Sequence, residues 1–460
     1  MRRAAPVALL ASLVLAGCLA PAEPVAPSQV QAPNLRSVFE FEHEHTDPAL
    51  HSASWNLVQV AHLAPAVEGH EHAVHGEIDV AGDVAFVSVG HGFMVYDVAD
   101  PARPAFLHYE PLPLGAQCAG DLKASLPGLL VVGTQCSGQP NVPGRGLAIY
   151  DVADPAAPVL VSTGRPGSSC HMVDTAEVDG ERYVYCADAT GPNVYQLMDL
   201  PGQPATPVLR NPNAPLEPEH VVGNVPTMQQ EFGSYGLAWG AGFLVRAHDM
   251  TTQPDPLTGA PIVVASQSFA GVRILDGRDP TLGKVLGSWA GEGAEQYSWI
   301  HTAQAFARDG KRIVAAITEN IVDTPPRLWL LDFTELAAPK VLAEYHLGGA
   351  DDSHGLVYSA HNFQVVGTRL YIAAYHAGVW ALDLTDLASP KPVGLALPHD
   401  PSPYDPGNFT FFGIGSDWVT QVWDVVVKDG YVLASDMRSG LYVYRFADDP
   451  TGDAAYASFG

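Results

Sequence analysis

The stretch Gly146 to Val161, GLAIYDVADPAAPVLV, most constrains what this chain can fold into, because it returns along the sequence. Leu147, Ile149 and Asp151 alternate with Ala148 and Tyr150, the period-2 layout of a β-strand. Asp154-Pro155 and Pro158 follow. An Asp side chain bonds backbone N–H groups two residues on, and Pro fixes φ and removes a donor, so the strand must end in a corner. Val159 to Val161 starts a second strand just after a Pro, which suits an outer edge. The unit recurs at Phe93–Leu107, Val272–Leu286, Leu328–Leu342 and Val379–Val393, and in degenerate form at Val194–Leu209 and Leu441–Pro450, where Arg445 takes the Asp position. The seven copies lie 58 residues apart on average. A long period with several β segments per copy means a propeller or a solenoid.

The hairpins inside each copy have their own signals. Asp179-Gly180, Asp309-Gly310 and Asp429-Gly430 separate alternating segments, as do Gly82-Asp83 and Pro127-Gly128. Each blade then reads as four strands, A to D, from axis to rim. Blade 7 shows only three, near 422–427, 431–435 and 440–446, while Trp55 to Leu63 resembles an edge strand with no inner strands before it. The expected fold is therefore all-β: a seven-bladed β-propeller over 55–446, closed by the N-terminal strand, which removes exposed sheet edges.

The pattern GLAIYDVADPAAPVL resembles the LVIVD repeat of bacterial and archaeal secreted or surface-anchored propellers. Blades 6 and 7 also resemble related surface-anchored propellers in His361-Asn362, in Tyr375–Val379 and in Ser435–Leu441. That resemblance implies an architecture and a location, and no particular reaction.

Residues 1–17 form a secretory signal: two Arg, an apolar run from Ala4 to Ala16, and small residues before a Cys. Leu15-Ala16-Gly17-Cys18 resembles the lipobox of bacterial lipoproteins, which implies cleavage before Cys18 and a lipid on it. Residues 18–54 read as a Pro/Ala-rich, then His-rich, tether, and 447–460 as a tail. The expected location is extracytoplasmic, on a membrane through that lipid, and the expected state is a monomer. The formal net charge of −27 argues against nucleic acid. Cys118, Cys136, Cys170 and Cys186 suggest two disulfides. Cys118 and Cys136 fall nearly opposite across the Pro127-Gly128 hairpin; Cys170 and Cys186 would need a bulge across the Asp179-Gly180 one. The competing set joins Cys118 to Cys170 and Cys136 to Cys186.

Aligning inner-strand starts on the C-strand Asp yields a candidate site. His75 precedes Asp97 by 22 residues, His361 precedes Asp383 by 22, and Trp423 precedes Arg445 by 22. His248 and His301 hold the same place ahead of longer hairpins, and His171 heads strand A of blade 3. Ring symmetry aims these positions at the top of the channel. Imidazoles gathered there suit a divalent transition metal such as Zn or Cu; the alternative is that each His only ties its blade to the next. Residues 42–75 add a second His-rich tract, with seven of the chain's 18 His. Insertions 211–247 and 397–421 precede a strand A and open on the same face. The second carries Phe409, Phe411, Phe412 and Trp418, which with Trp423 and Asp424 could bind a protein, peptide or glycan ligand. Enzyme signatures such as G-x-S-x-G, H-E-x-x-H and the P-loop are absent. Two functions compete: a lipid-anchored binding scaffold working through its top face, and a metal-dependent oxidase or hydrolase using the His ring.

Overall fold

A computed structural model describes residues 53–67, 75–112, 119–134, 146–164, 170–188, 191–201, 203–210, 247–268, 270–279, 282–290, 299–319, 326–346, 359–398 and 420–446. The signal segment, residues 18–52 of the tether, the tail, Cys118, Cys136 and the aromatics 409–418 lie outside them; the last two residues of the expected tether belong to β1 instead. Strands β1 to β29 run from Ala53 to Phe446, with no helix among the described residues. They form seven sheets, one per expected blade. Blade 1 is β3 (His75–Ala81) to β6 (Ala105–Pro111), blade 2 β7 (Ala119–Lys123) to β10 (Val159–Thr163), and blade 3 β11 (Met172–Val178) to β14 (Gln203–Leu209). Blade 4 is β15 (Asp249–Pro254) to β18 (Val285–Trp289), and blade 5 β19 (Ile300–Arg308) to β22 (Lys340–His346). Blade 6 runs from β23 (Phe363–Val366) to β26 (Lys391–Leu397), and blade 7 from β27 (Val422–Lys428) to β29 (Gly440–Phe446).

The local chemistry explains the turns. In all three Asp-Gly hairpins both central residues have positive φ, between 50° and 80°, as a two-residue type I′ turn demands. At the corners the C-strand Asp caps the chain: the backbone N–H groups of Ala99, Ala153, Arg278, Thr334 and Thr385 donate to Asp97, Asp151, Asp276, Asp332 and Asp383, each two residues back.

Seven hydrophobic clusters lie one between each pair of adjacent blades. Middle strands are thus buried on both faces. In β21 (Arg327–Asp332), Leu328 and Leu330 face blade 6 while Trp329 and Leu331 face blade 4. Blade is also stitched to blade along the inner strands. The N–H groups of Ala124, Val173, Thr252, Ala305, Val365, Val427 and Ile78 donate, in ring order, to Asp79, Asp121, Asp174, Gln253, Gln304, Gln364 and Asp424 of the preceding blade.

The N-terminal strand closes the ring, with one correction. The strand read as Trp55–Leu63 breaks at Asn56, whose φ of 57° no strand passes through. β2 (Leu57–Leu63) pairs β29 as the fourth strand of blade 7. β1 (Ala53–Trp55) instead pairs β26, as a fifth strand of blade 6, and the Asn56 amide donates to the Val393 carbonyl at 3.0 Å.

Cys170 and Cys186 are joined, with Cα atoms 5.4 Å apart. This excludes the competing cross-blade set. No bulge is needed, contrary to the sequence reading: β11 and β12 (Glu181–Asp188) pair in unbroken register. Cys170 instead lies before β11, where its backbone N–H turns to Thr134 of blade 2 at 3.2 Å.

Candidate functional site

Strand A begins at the channel mouth in every blade, and in four blades the A–B ladder is irregular there. Register shifts fall between Ile300 and Thr302 in blade 5 and between Val422 and Asp424 in blade 7, so His301 and Trp423 are bulged residues. A bulge bends its strand and re-aims the side chain, a common device beside a site. The result is a continuous arc of rings: His171 to His248 (centroids 4.7 Å), His248 to His301 (4.3 Å), His301 to His361 (4.0 Å) and His361 to Trp423 (3.8 Å). Trp299 meets His248 edge-on at 5.6 Å, and Tyr375 meets both His361 and Trp423 at 5.7 Å.

The hydrogen bonds around His301 fix which of its nitrogens carries the lone pair. Trp423 Nε1 and the Asn362 amide both donate to Glu77, which turns the Asn362 carbonyl oxygen toward Thr302. The Thr302 hydroxyl donates to that oxygen at 2.9 Å and also meets the Asp249 carboxylate. Its proton therefore goes to an acceptor, so at 2.7 Å it must accept from His301 Nδ1–H. His301 Nε2 is left with its lone pair, buried without a hydrogen bond and 3.8 Å from a Glu319 carboxylate oxygen. His248 Nε2 contacts His171 Nε2 at 3.2 Å, and its Nδ1 is buried without a hydrogen bond. One donor atom from each of His248, His301 and Glu319 lies within 4.8 Å of the other two. The Tyr375 hydroxyl donates to the other Glu319 oxygen.

Burial, and then the neighbouring imidazoles, hold His248, His301 and His361 well below the usual His range. Burial alone takes His171 down to about 4. These rings are neutral at pH 7, the form that ligates metal. Burial pushes Glu319 up to about 7, against the lowering effect of the Tyr375 bond. Below the arc the channel is acidic: Glu77, Asp121, Asp174, Asp249 and Asp424 are all buried. Burial disfavours the Lys123 ammonium there, but Asp121, Asp79, Glu77 and Asp174 more than offset it. Burial, followed by Asp424 and Asp121, pushes Glu77 well above the carboxylate range.

The LVIVD repeat family matches residues 76–108, which is blade 1 from the second residue of β3 into β6. The protein is a seven-bladed β-propeller whose first blade carries an LVIVD repeat. No curated protein matches its sequence. Among solved structures it is similar to the computationally designed Ika8 protein, at 10% identity over 84% of this chain and 100% of that one, with a TM-score of 0.43. It is also similar to dihydro-heme d1 dehydrogenase NirN in complex with DHE, at 14% identity over 79% of this chain and 61% of that one, with a TM-score of 0.43.

In this LVIVD-repeat propeller, four of the five sequence-read His (His171, His248, His301 and His361) fall on the arc with Trp423. His75 is buried at the head of β3, its backbone N–H bonded to Met437 of blade 7 at 3.2 Å. Asp424 serves the scaffold: its two oxygens accept the backbone N–H groups of Val425 and Ile78. Blades are tied along strand A by the Asp and Gln stitches, and the His171–His248 contact also crosses from blade 3 to blade 4. Both insertions lead into the arc in sequence, at His248 and just before Trp423, and the Thr420 hydroxyl donates to the Pro398 carbonyl. Sequence alignment on strand A missed Glu319, Glu77 and Tyr375. The Asp309-Gly310 turn was a usable signal for Glu319, because an unbroken hairpin centred there would pair it with Ile300, next to His301; the bulge at His301 gives Ile300 to Thr318 and sets Glu319 against Trp299.

Proposed function

We propose that the protein is an exported, lipid-anchored propeller whose top face binds a divalent transition metal through His248, His301 and Glu319. One observation carries the reading: two neutral imidazoles, with the buried His301 Nε2 lone pair unpaired, meet a buried carboxylate within 4.8 Å, a set that only a proton or a bound cation satisfies. Imidazole with carboxylate suits Zn, Cu, Fe or Ni. Among the described residues the set offers three protein donors, which leaves coordination positions for a further protein, solvent or substrate group, as the second reading requires.

Calorimetric titration of chelator-stripped protein with Zn²⁺ should give about one tight site per chain. Weak sites in the His-rich tract before blade 1 would add to the isotherm but would persist in a His248→Ala variant. Absence of a tight site, or one that His248→Ala leaves intact, contradicts the proposal.

The pH dependence should follow Glu319 first. Its carboxyl titrates near 7, so below that a metal must displace its proton. Affinity should fall about tenfold per pH unit there, and more steeply only below the depressed His range. A profile flat to pH 6 would count against Glu319 as a ligand.

The anchor is tested by Cys18→Ser. The described residues contain no helix long and apolar enough to cross a membrane, and the variant should move from the membrane to the soluble fraction. Retention on membranes in high salt would rule out lipid at Cys18 as the attachment.

A further inference from the structure

Tyr375 occupies a repeated position whose backbone does not call for an aromatic. In blade 4 the same place, ahead of Gly271-Val272, is held by Ser268 at φ 43°; in blade 6 Tyr375 stands ahead of Gly378-Val379 at φ 44°. Both sit in turns closed alike: Gln267 N–H donates to Gly271 and Ala270 N–H to Gln267, as Ala374 N–H does to Gly378 and Ala377 N–H to Ala374. Both bridge to the next blade, Ser268 to Ile300 and Tyr375 to Val422. A left-handed φ is an outlier for a bulky residue, and a small polar one satisfies this turn in blade 4. The side chain of Tyr375 is therefore the reason to look for a role. It is wholly buried, packed edge-on against both His361 and Trp423, and its hydroxyl donates to Glu319.

We infer that Tyr375 is the positioning residue of the metal site: its phenol holds one oxygen of Glu319 and leaves the other facing His301 and the metal. The inference rests on the metal reading above. Donors behind metal ligands fix ligand orientation in this way, and losing one costs about 10–100-fold in affinity. The bridge to Val422 gives the phenol a rigid base in blade 6, while the carboxylate it holds belongs to blade 5, so the site spans two blades.

The test is Co²⁺ loading of the stripped full-length protein, followed by the visible ligand-field spectrum and by competition with Zn²⁺. Tyr375→Phe should bind about 10–100-fold more weakly, with a changed spectrum, because the freed carboxylate can turn. A purely structural role would lower the unfolding midpoint and leave the spectrum of the loaded protein alone. Wild-type affinity and spectrum in Tyr375→Phe would overturn the inference and leave the metal reading standing. No Co²⁺ uptake by the wild type would remove the metal reading, and this inference with it. Should Tyr375→Phe fail to fold, Glu319→Asp withdraws the carboxylate from the phenol and keeps its charge; it too should shift the spectrum, and an unchanged one would overturn the inference.

Discussion

Leu57→Ala should destabilise the whole ring by about 2–5 kcal/mol, the range for emptying a buried Leu site. Leu57 is fully buried in the cluster between blades 6 and 7, among Tyr371, Val422 and Phe446. It is also the first residue of the strand that completes blade 7, so its loss weakens a closure made by residues far apart in sequence. The break at Asn56 sharpens the expectation. Three residues before it add to blade 6 and seven after it complete blade 7, so one short segment clasps both sheets. Leu57→Asp should exceed the Ala effect, because an unpaired carboxylate would be buried there. Val58→Ala is the control: Val58 is exposed on the same strand and should change stability by no more than about 0.5 kcal/mol. Denaturant unfolding measures all three. Equal stability of Leu57→Ala and Val58→Ala would show that the clasp is not part of the cooperative unit.

His301→Ala should remove tight metal binding outright, the largest functional effect expected in the molecule. His301 is wholly buried, and its two nitrogens face opposite ways: Nδ1 into the Thr302–Asn362–Glu77 chain, Nε2 toward Glu319. Replacing it deletes a ligand and uncouples the network that sets its tautomer. His171→Ala should do less, about tenfold, because His171 acts through its bond to His248 Nε2. Titration of both variants beside the wild type separates ligand from support. Equal losses in the two would mean that the arc acts by packing alone.

The architecture was legible because it is written in local chemistry that repeats. The Asp/Pro corner, the Asp-Gly turn and the alternating strand each have a short-range cause, and each appears in the structure where the sequence places it. The arc of His was legible for a related reason: position in a repeat becomes position around an axis. What escaped depended on contacts that no repeat encodes. Glu319 reaches the site from strand B across a hairpin, Glu77 reaches from blade 1 to Asn362 and Trp423 of blades 6 and 7, and Tyr375 enters through a turn that Ser268 fills in blade 4. The stitches between blades by Asp and Gln were likewise hidden, since each needs the spacing of one sheet from the next. Asn56 was read through as strand because Asn keeps the alternation, although it is among the few residues that readily turn left-handed.

The central claim is that the top of this channel is a metal site, and anomalous diffraction at the Zn absorption edge tests it most directly. Crystals of the full-length protein loaded with Zn²⁺ should show a strong peak in contact with His248 Nδ1, His301 Nε2 and Glu319, with Tyr375 still bonded to the carboxylate. A peak only in the His-rich segment before blade 1, or no peak at the channel mouth, would contradict the account.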